Sequence, residues 1–254
     1  MPVYEFGSGI LTGTRNDVTG LQTPRRFGVL QDVSIDFAGD IKHLFGTNQY
    51  PVDVARGKTK VDGKAKFAAL QAAGYNELFF GQTLATGQDK YAYNERTTLG
   101  SSTAAISYTV ANATSTPLVD KGVFYGGTGS NAGVQLSATT TSPPPSASYN
   151  FTAATGIYTF AAADSSAVML ANYKYHVTTG YNITIDQQFM GTTPTFAMTL
   201  FQVFESNHMV LDLYKVVSSK LTFPTRIDDY VINELDFSAF ANAANSVGIW
   251  NLAQ

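Results

Sequence analysis

No cysteine occurs among the 254 residues, which excludes disulfides, thiolate metal sites and a cysteine nucleophile. Long apolar runs are missing too. No stretch approaches the ~20 apolar residues that span a bilayer, and the start, "MPVYEFGSGILTGTRNDVTG", has no basic end followed by an apolar segment. These absences predict a soluble chain made in the cytoplasm, with no membrane partner. Sixteen Lys and Arg against nineteen Asp and Glu leave a net charge of −3. That is too little for general affinity toward nucleic acid or an anionic surface, so partners must be argued from local patches.

Motifs that carry chemistry are also scarce. His43, His176 and His208 are far apart and fit no HxxxH or HExxH spacing. There is no GxSxG elbow and no P-loop. "GGTGSNAG" contains Gly127-x-Gly129-x-x-Ala132, formally a dinucleotide fingerprint, but the strand pattern "VQLSATTT" follows it. No helix N-terminus then waits for a pyrophosphate, and the segment reads as a turn. "RIDDYVINELDF" gathers Asp228, Asp229, Glu234 and Asp236. Alternation splits Asp228 from Asp229, so a solvated turn or an assembly contact is the reading. The expectation is a protein with no catalytic residues, no cofactor and no metal.

Strand signals dominate what is present. "VLQDVSIDFA", "KTKVDGKAKF", "YNITIDQQFM", "TFAMTLFQVF" and "HMVLDLYKVVSSKLTF" are rich in β-branched and aromatic residues and punctuated by Gly, Pro or Asn. One helix is expected in "AALQAAGYNELFF", from a stripe of Leu70, Ala73, Leu78 and Phe79, with Gly81 as its stop and Gly74 as a weak point. Turns are expected at Ser206-Asn207 and at Gly191 to Pro194, and a helical turn near "DFSAFANAA". Residues 1–100 hold 11 basic and 10 acidic side chains, whereas residues 101–180 hold only Asp120, Lys121, Asp164 and Lys174. This shift predicts a discontinuous β domain, 1–111 with 180–254, interrupted by a small β-sandwich module at 112–179.

"GKTKVDGKAKF" (57–67) sets Lys58, Lys60, Lys64 and Lys66 on one strand face, broken only by Asp62, with Val61, Ala65 and Phe67 opposite. That face could touch DNA, lie in solvent, or pair with carboxylates on adjoining strands such as Asp36 and Asp212, or on another subunit. Assembly through acidic partners is the expected role, because cross-strand opposite charges repeated around a ring would fix register.

Read together, "TPRRFGVLQDVSIDF" (23–37), "LFGTNQYPVDVARGKTKVDGKAKFA" (44–68), "LFFGQ" (78–82) and "SSKLTFPTRIDDYVINELDFSAFAN" (218–242) resemble the tail tube (major tail) proteins of long-tailed bacteriophages. "YNFTAATGIYTFAAADSSAVMLANYKY" (149–175) looks like a small β module inserted in such virion proteins. The resemblance implies a mainly β fold, a two-sheet sandwich or rolled barrel with one flanking α-helix. It also implies a structural virion protein that assembles with itself into hexameric rings. Stacked rings form the tube through which the genome passes without specific binding. Tape measure, tail terminator and distal tail proteins would be its other partners. By the same resemblance, the stretch 45–57, with Phe45, Tyr50, Pro51 and Arg56, matches a loop that reaches a neighbouring subunit or ring. The rival from another class is a monomeric binding module or adhesin gripping a carbohydrate or a host surface with the Tyr/Ser/Thr-rich middle segment.

Overall fold

The structure, a computed structural model, describes residues 7–69, 71–128, 130–204, 207–225 and 227–252. In chain order the elements are β1 (Ile10–Arg15), β2 (Arg25–Arg26), β3 (Leu30–Phe45), β4 (Pro51–Phe67), α1 (Ala72–Tyr75), β5 (Leu84–Thr98), β6 (Ile106–Thr109), β7 (Val119–Tyr125), β8 (Ser137–Ala138), β9 (Ser148–Thr152), β10 (Ile157–Phe160), β11 (Val168–Ile183), β12 (Thr195–Phe204), β13 (Asn207–Thr222), β14 (Asn233–Ala239) and β15 (Gly248–Leu252). This is a mainly β protein with one short helix and several antiparallel sheets, none closed into a barrel. The chain divides into two compact units, the first running to Leu84 and resuming at Ile183, the second Ala85–Asn182.

In the first unit the strands form one sheet in the order β2-β1-β12-β13-β14-β4-β3, with β15 also paired to β13. Strand β13 is long enough to serve two neighbours. Its first half pairs β15 (Met209↔Leu252 to Leu213↔Gly248) and its second half pairs β14 (Val216↔Ala239 to Thr222↔Glu234). Alternation puts Leu11, Phe196, Met198, Leu213, Ala65, Phe67, Leu235 and Phe237 on one face, and side chains from both ends of the strand order meet in a single core. Phe27 meets Phe67 edge to face, with ring centroids 5.5 Å apart.

The helical segment seals this core with buried Leu78 and partly buried Tyr75 and Phe79. It is shorter than the expected stripe, and Leu70 lies outside the described residues. After one α-helical turn it widens into a π-helical turn, Asn76–Phe80, and stops at Gly81, whose φ of +65° is the left-handed value that favours glycine. Asn76 fixes that end by donating to the Gln82 carbonyl and accepting from its N–H. Within "GKTKVDGKAKF" a Cβ on Gly63 would come 2.4 Å from Cζ of Phe237, so the glycine makes room for that ring. Gly63→Val should destabilise the unit by about 1–3 kcal/mol through overpacking. Thermal denaturation of the variant checks this, and an unchanged midpoint would show that the ring moves freely.

The second unit has a four-stranded sheet, β6-β10-β9-β8, and a three-stranded sheet, β5-β11-β7, around a core that includes Val123, Tyr158, Phe160, Met169, Ala171 and Tyr173. Its boundary falls at Ala85 rather than 112, because β5 and β6 belong to it. Charge density does not mark this boundary. Asp89 of β5 pairs with Lys174 (2.8 Å) and His176 (3.1 Å) of β11, so the charged strand lies beside the charge-poor segment.

Carboxylates stitch this unit through tyrosine hydroxyls. Asp120 accepts from Tyr149 (2.5 Å) and Tyr158 (2.7 Å), Asp164 from Tyr125 (2.8 Å), and Glu95 from Tyr108 and Tyr173. Burial first, then the adjacent carboxylate, pushes the Tyr125 and Tyr173 phenols up to about 12 and raises those of Tyr108, Tyr149 and Tyr158 as well. Each folded-state value lies above the ordinary one of about 10, so the stabilisation is complete below pH ~10 and is lost as pH rises through about 12. The melting temperature of this unit should therefore fall steeply between those values. Absorbance at 295 nm should show these five phenols ionising only with unfolding; native-state ionisation of every tyrosine near pH 10 would contradict it.

Other sequence expectations differ in detail. The strand expected at 181–190 ends at Ile183, and Thr192 N–H closes a turn onto the Phe189 carbonyl. The helical turn expected near 236–244 is instead strand through Ala239. Ser206, Arg226 and Gly129 lie outside the described residues.

Candidate assembly surface

The longest hairpin in the chain joins β3 to β4. Its connection is only residues 46–50, because Val52 and Val54 alternate with Asp53 and Ala55 as strand, and Pro51 sits at the strand's first position, where its missing N–H is tolerated. The expected long loop at 45–57 is therefore mostly paired strand, with Tyr50 at the tip, 81% exposed.

One side of this hairpin is mostly apolar, interrupted by His43, Thr59 and Arg56. Near the sheet, Val33, Ile35 and Ala65 pack on the core. By alternation the same side continues as Phe37, Ile41, His43 and Phe45 on β3, facing Val61, Thr59, Arg56 and Val54 on β4. Contact between the rings of His43 and Phe45, 6.1 Å between centroids, shows that these two share a side. Beyond the core the stripe stays largely exposed among the described residues. Phe37 is 57% exposed, Ile41 62%, Phe45 59% and Val54 53%. Leu44 and Val52 are exposed as well. Strand β3 ends the sheet order, so among the described residues its outer row of backbone N–H and C=O groups has no strand partner. At the hairpin's base Trp250 of β15 stacks on Phe37, 6.3 Å between centroids and 6° from parallel. Beside that pair lies a groove of about 360 Å³ lined by Arg56, Leu211, Leu213 and Val247 among others. Further large apolar side chains stand out on loops of this unit, notably Phe189, Met190, Ile227 and Tyr230.

The lysine face is on the opposite side, and its partners are in the same chain. Lys60 lies 2.9 Å from Asp62, Lys64 2.9 Å from Glu234 and 3.7 Å from Asp236, and Lys66 3.3 Å from Asp32. Lys58 makes no ion pair among the described residues and falls where the β3–β4 register shifts. The hydrogen bonds to Asp62 and Glu234 raise the Lys60 and Lys64 ammonium groups above the usual lysine range. Conversely Ser238 and Lys60 hold Asp62 below the usual carboxylate range, and Lys64 does the same to Glu234. Of the two partners named from the sequence, Asp36 stands directly opposite Asp62 and adds to the field at Lys60 without pairing with it. Asp212 is elsewhere, on β13, accepting from Thr199 Oγ1 at 2.6 Å. The reason is strand order: β4 lies between β3 and β14, and β13 is one strand further away. The acidic cluster divides accordingly, with Glu234 and Asp236 on β14 facing the lysines and Asp228 and Asp229 in an exposed bend.

Among the described residues no group of three or more His, Asp or Glu could hold a metal ion, and no helix is long and apolar enough to cross a membrane. Neither a scan against models of known protein families nor a search of the curated proteins finds a match.

Proposed function

We propose that the chain is a structural subunit that assembles with copies of itself into hexameric rings stacked as a tube, the tail tube of a long-tailed phage, located in the virion. The observation that carries the reading is the apolar stripe of the β3–β4 hairpin, which leaves the core at Phe37 and runs exposed through Ile41, Phe45 and Val54. A contiguous exposed apolar face beside an open strand edge is an aggregation liability in a monomer, and closure of a ring of copies removes both. In the ring the open sheet would become part of the sandwich or rolled barrel expected for tail tubes, with β3 as the seam. The groove at Trp250 offers a ready socket beside that seam.

The polar side of the same strands suits a conduit. Lys60, Lys64 and Lys66 are each already neutralised by a carboxylate, so phosphates passing this face would gain little by displacing them. Free lysines repeated ring after ring would instead hold DNA, since each neutralised phosphate adds about −0.9 to the slope of log affinity against log salt. Negative-stain electron microscopy of the purified chain tests the reading. Six-fold rings or tubes are the expected result, and a protein that stays monomeric at high concentration would overturn it.

A further inference from the structure

Strand register gives the sheet of the first unit two ends. At one end lie Arg15 of β1, Thr195 of β12, Thr222 of β13 and Asn233 of β14; at the other lie the β3–β4 connection and the start of β13. The hairpin tip with Tyr50 is therefore at the far end from the loops 16–24, 184–194 and 223–232. Those three loops join four neighbouring strands, so their roots lie within about 15 Å, three strand spacings. They carry Leu21, Phe189, Met190 and Tyr230, each at least 85% exposed.

Single exposed apolar side chains need no explanation, but a crown of four on adjoining loops marks a contact. Its two aromatic side chains alone offer about 300–500 Å², a large share of the ~800 Å² that each partner gives to a specific interface. Strand β4 has 17 residues and at ~3.3 Å per residue runs about 55 Å, so the tip of one copy cannot reach its own crown. The two ends also differ in charge. The three loops hold Asp17, Asp186, Asp228 and Asp229 against Arg226, whereas residues 40–58 of the hairpin hold Lys42, Arg56 and Lys58 against Asp40 and Asp53. An acidic crown repels an anionic lipid surface and attracts a cationic tip. We propose that the crown is the face that joins ring to ring, seating the hairpin tip and Tyr50 of a copy in the next ring. Unlike ends in contact make a heterologous interface that does not close and so extends as a filament. The inference rests on the tube reading and adds where the rings meet, while the apolar stripe closes each ring.

Electron microscopy of the parent and of the triple variant Phe189→Ser, Met190→Ser, Tyr230→Ser tests this, together with photo-cross-linking. The variant should still form rings but stack them into tubes at least about tenfold shorter, with an unchanged melting temperature because these side chains pack on nothing in the subunit. The parent has no cysteine, so Tyr50→Cys carries benzophenone maleimide at one position only. On illumination of assembled protein that label should join peptides of 184–194 or 223–232 from another copy, read by mass spectrometry of isotopically mixed chains. Tubes of parental length in the triple variant overturn the inference and leave the ring reading intact. Cross-links from position 50 that avoid all three loops overturn it as well, as does a crown that carries the parent onto phosphatidylcholine vesicles in flotation and leaves stacking unaffected when lost. A parent that forms no rings defeats the earlier reading itself, and this inference with it. If the triple variant does not fold, the cross-link decides, since it leaves the crown intact.

Discussion

Ile41→Asp combined with Val54→Asp should abolish rings and tubes while leaving the melting temperature of the subunit within a few degrees of the parent. Both side chains are more than half exposed in the isolated chain, so the subunit loses almost no packing when they change. In an assembly that covers the stripe the part still exposed would be buried, a gain of about 0.8–2 kcal/mol per side chain. Two lost contacts therefore correspond to a rise of at least ~10-fold in the concentration needed to assemble, at about 1.4 kcal/mol per tenfold. Burying the new carboxylates without partners would raise it further. Sedimentation velocity over a concentration series reads the effect. Rings at parental concentrations would show that the stripe is not the contact, and a matching collapse of thermal stability would show that these residues serve the fold.

The second large effect concerns the other unit. Asp120→Ala removes the acceptor of Tyr149 and Tyr158, two phenols buried in its core, and of the Gly122 N–H. The Tyr149 hydroxyl left without an acceptor costs about 1–3 kcal/mol, while Tyr158 keeps the Asn172 carbonyl at 3.3 Å as a second acceptor, so the melting transition of residues 85–182 should drop chiefly through Tyr149. Removing both sides of the interaction is far milder, because no polar group is then stranded. The triple variant Asp120→Ala, Tyr149→Phe, Tyr158→Phe should accordingly recover part of the loss. Calorimetry that finds the triple variant less stable than the single one would mean that the phenols are held by packing and not by Asp120.

What was legible in the sequence was whatever a short window decides. β12 follows "TFAMTLFQVF" residue for residue, and the inner half of β4 follows the alternation of Val61, Gly63, Ala65 and Phe67 against its lysines. Gly81 stops the helical segment as its conformational freedom suggests. The outer half of the hairpin read as loop because Gly46, Asn48, Pro51 and Gly57 are loop residues in isolation; Gly46 and Asn48 do form the connection, while strand pairing with β3 overrides Pro51 and Gly57. Partners across strands were out of reach, since no window reveals that β14 lies beside β4 while β13 does not. Lys64 therefore finds Glu234 in place of Asp212. Trp250 was missed for a similar reason: only the groove formed with Phe37 gives the chain's single tryptophan a role. The early boundary at Ala85 was hidden because β5 carries Asp89, Lys90, Glu95 and Arg96, with exposed Tyr91 and Tyr93 among them, and so resembles the charged segment before it.

The central claim is that the apolar side of the β3–β4 hairpin is covered by another copy of the chain. Hydrogen exchange by mass spectrometry, comparing assembled with dissociated protein, measures this at the peptides that contain it. Amides of residues 37–45 and 51–60 should exchange at least about tenfold more slowly in the assembly, a shift of ~1.4 kcal/mol or more in local opening. Peptides of residues 85–182 should be unchanged. Equal exchange of the hairpin in both states, with protection appearing elsewhere, would contradict the account.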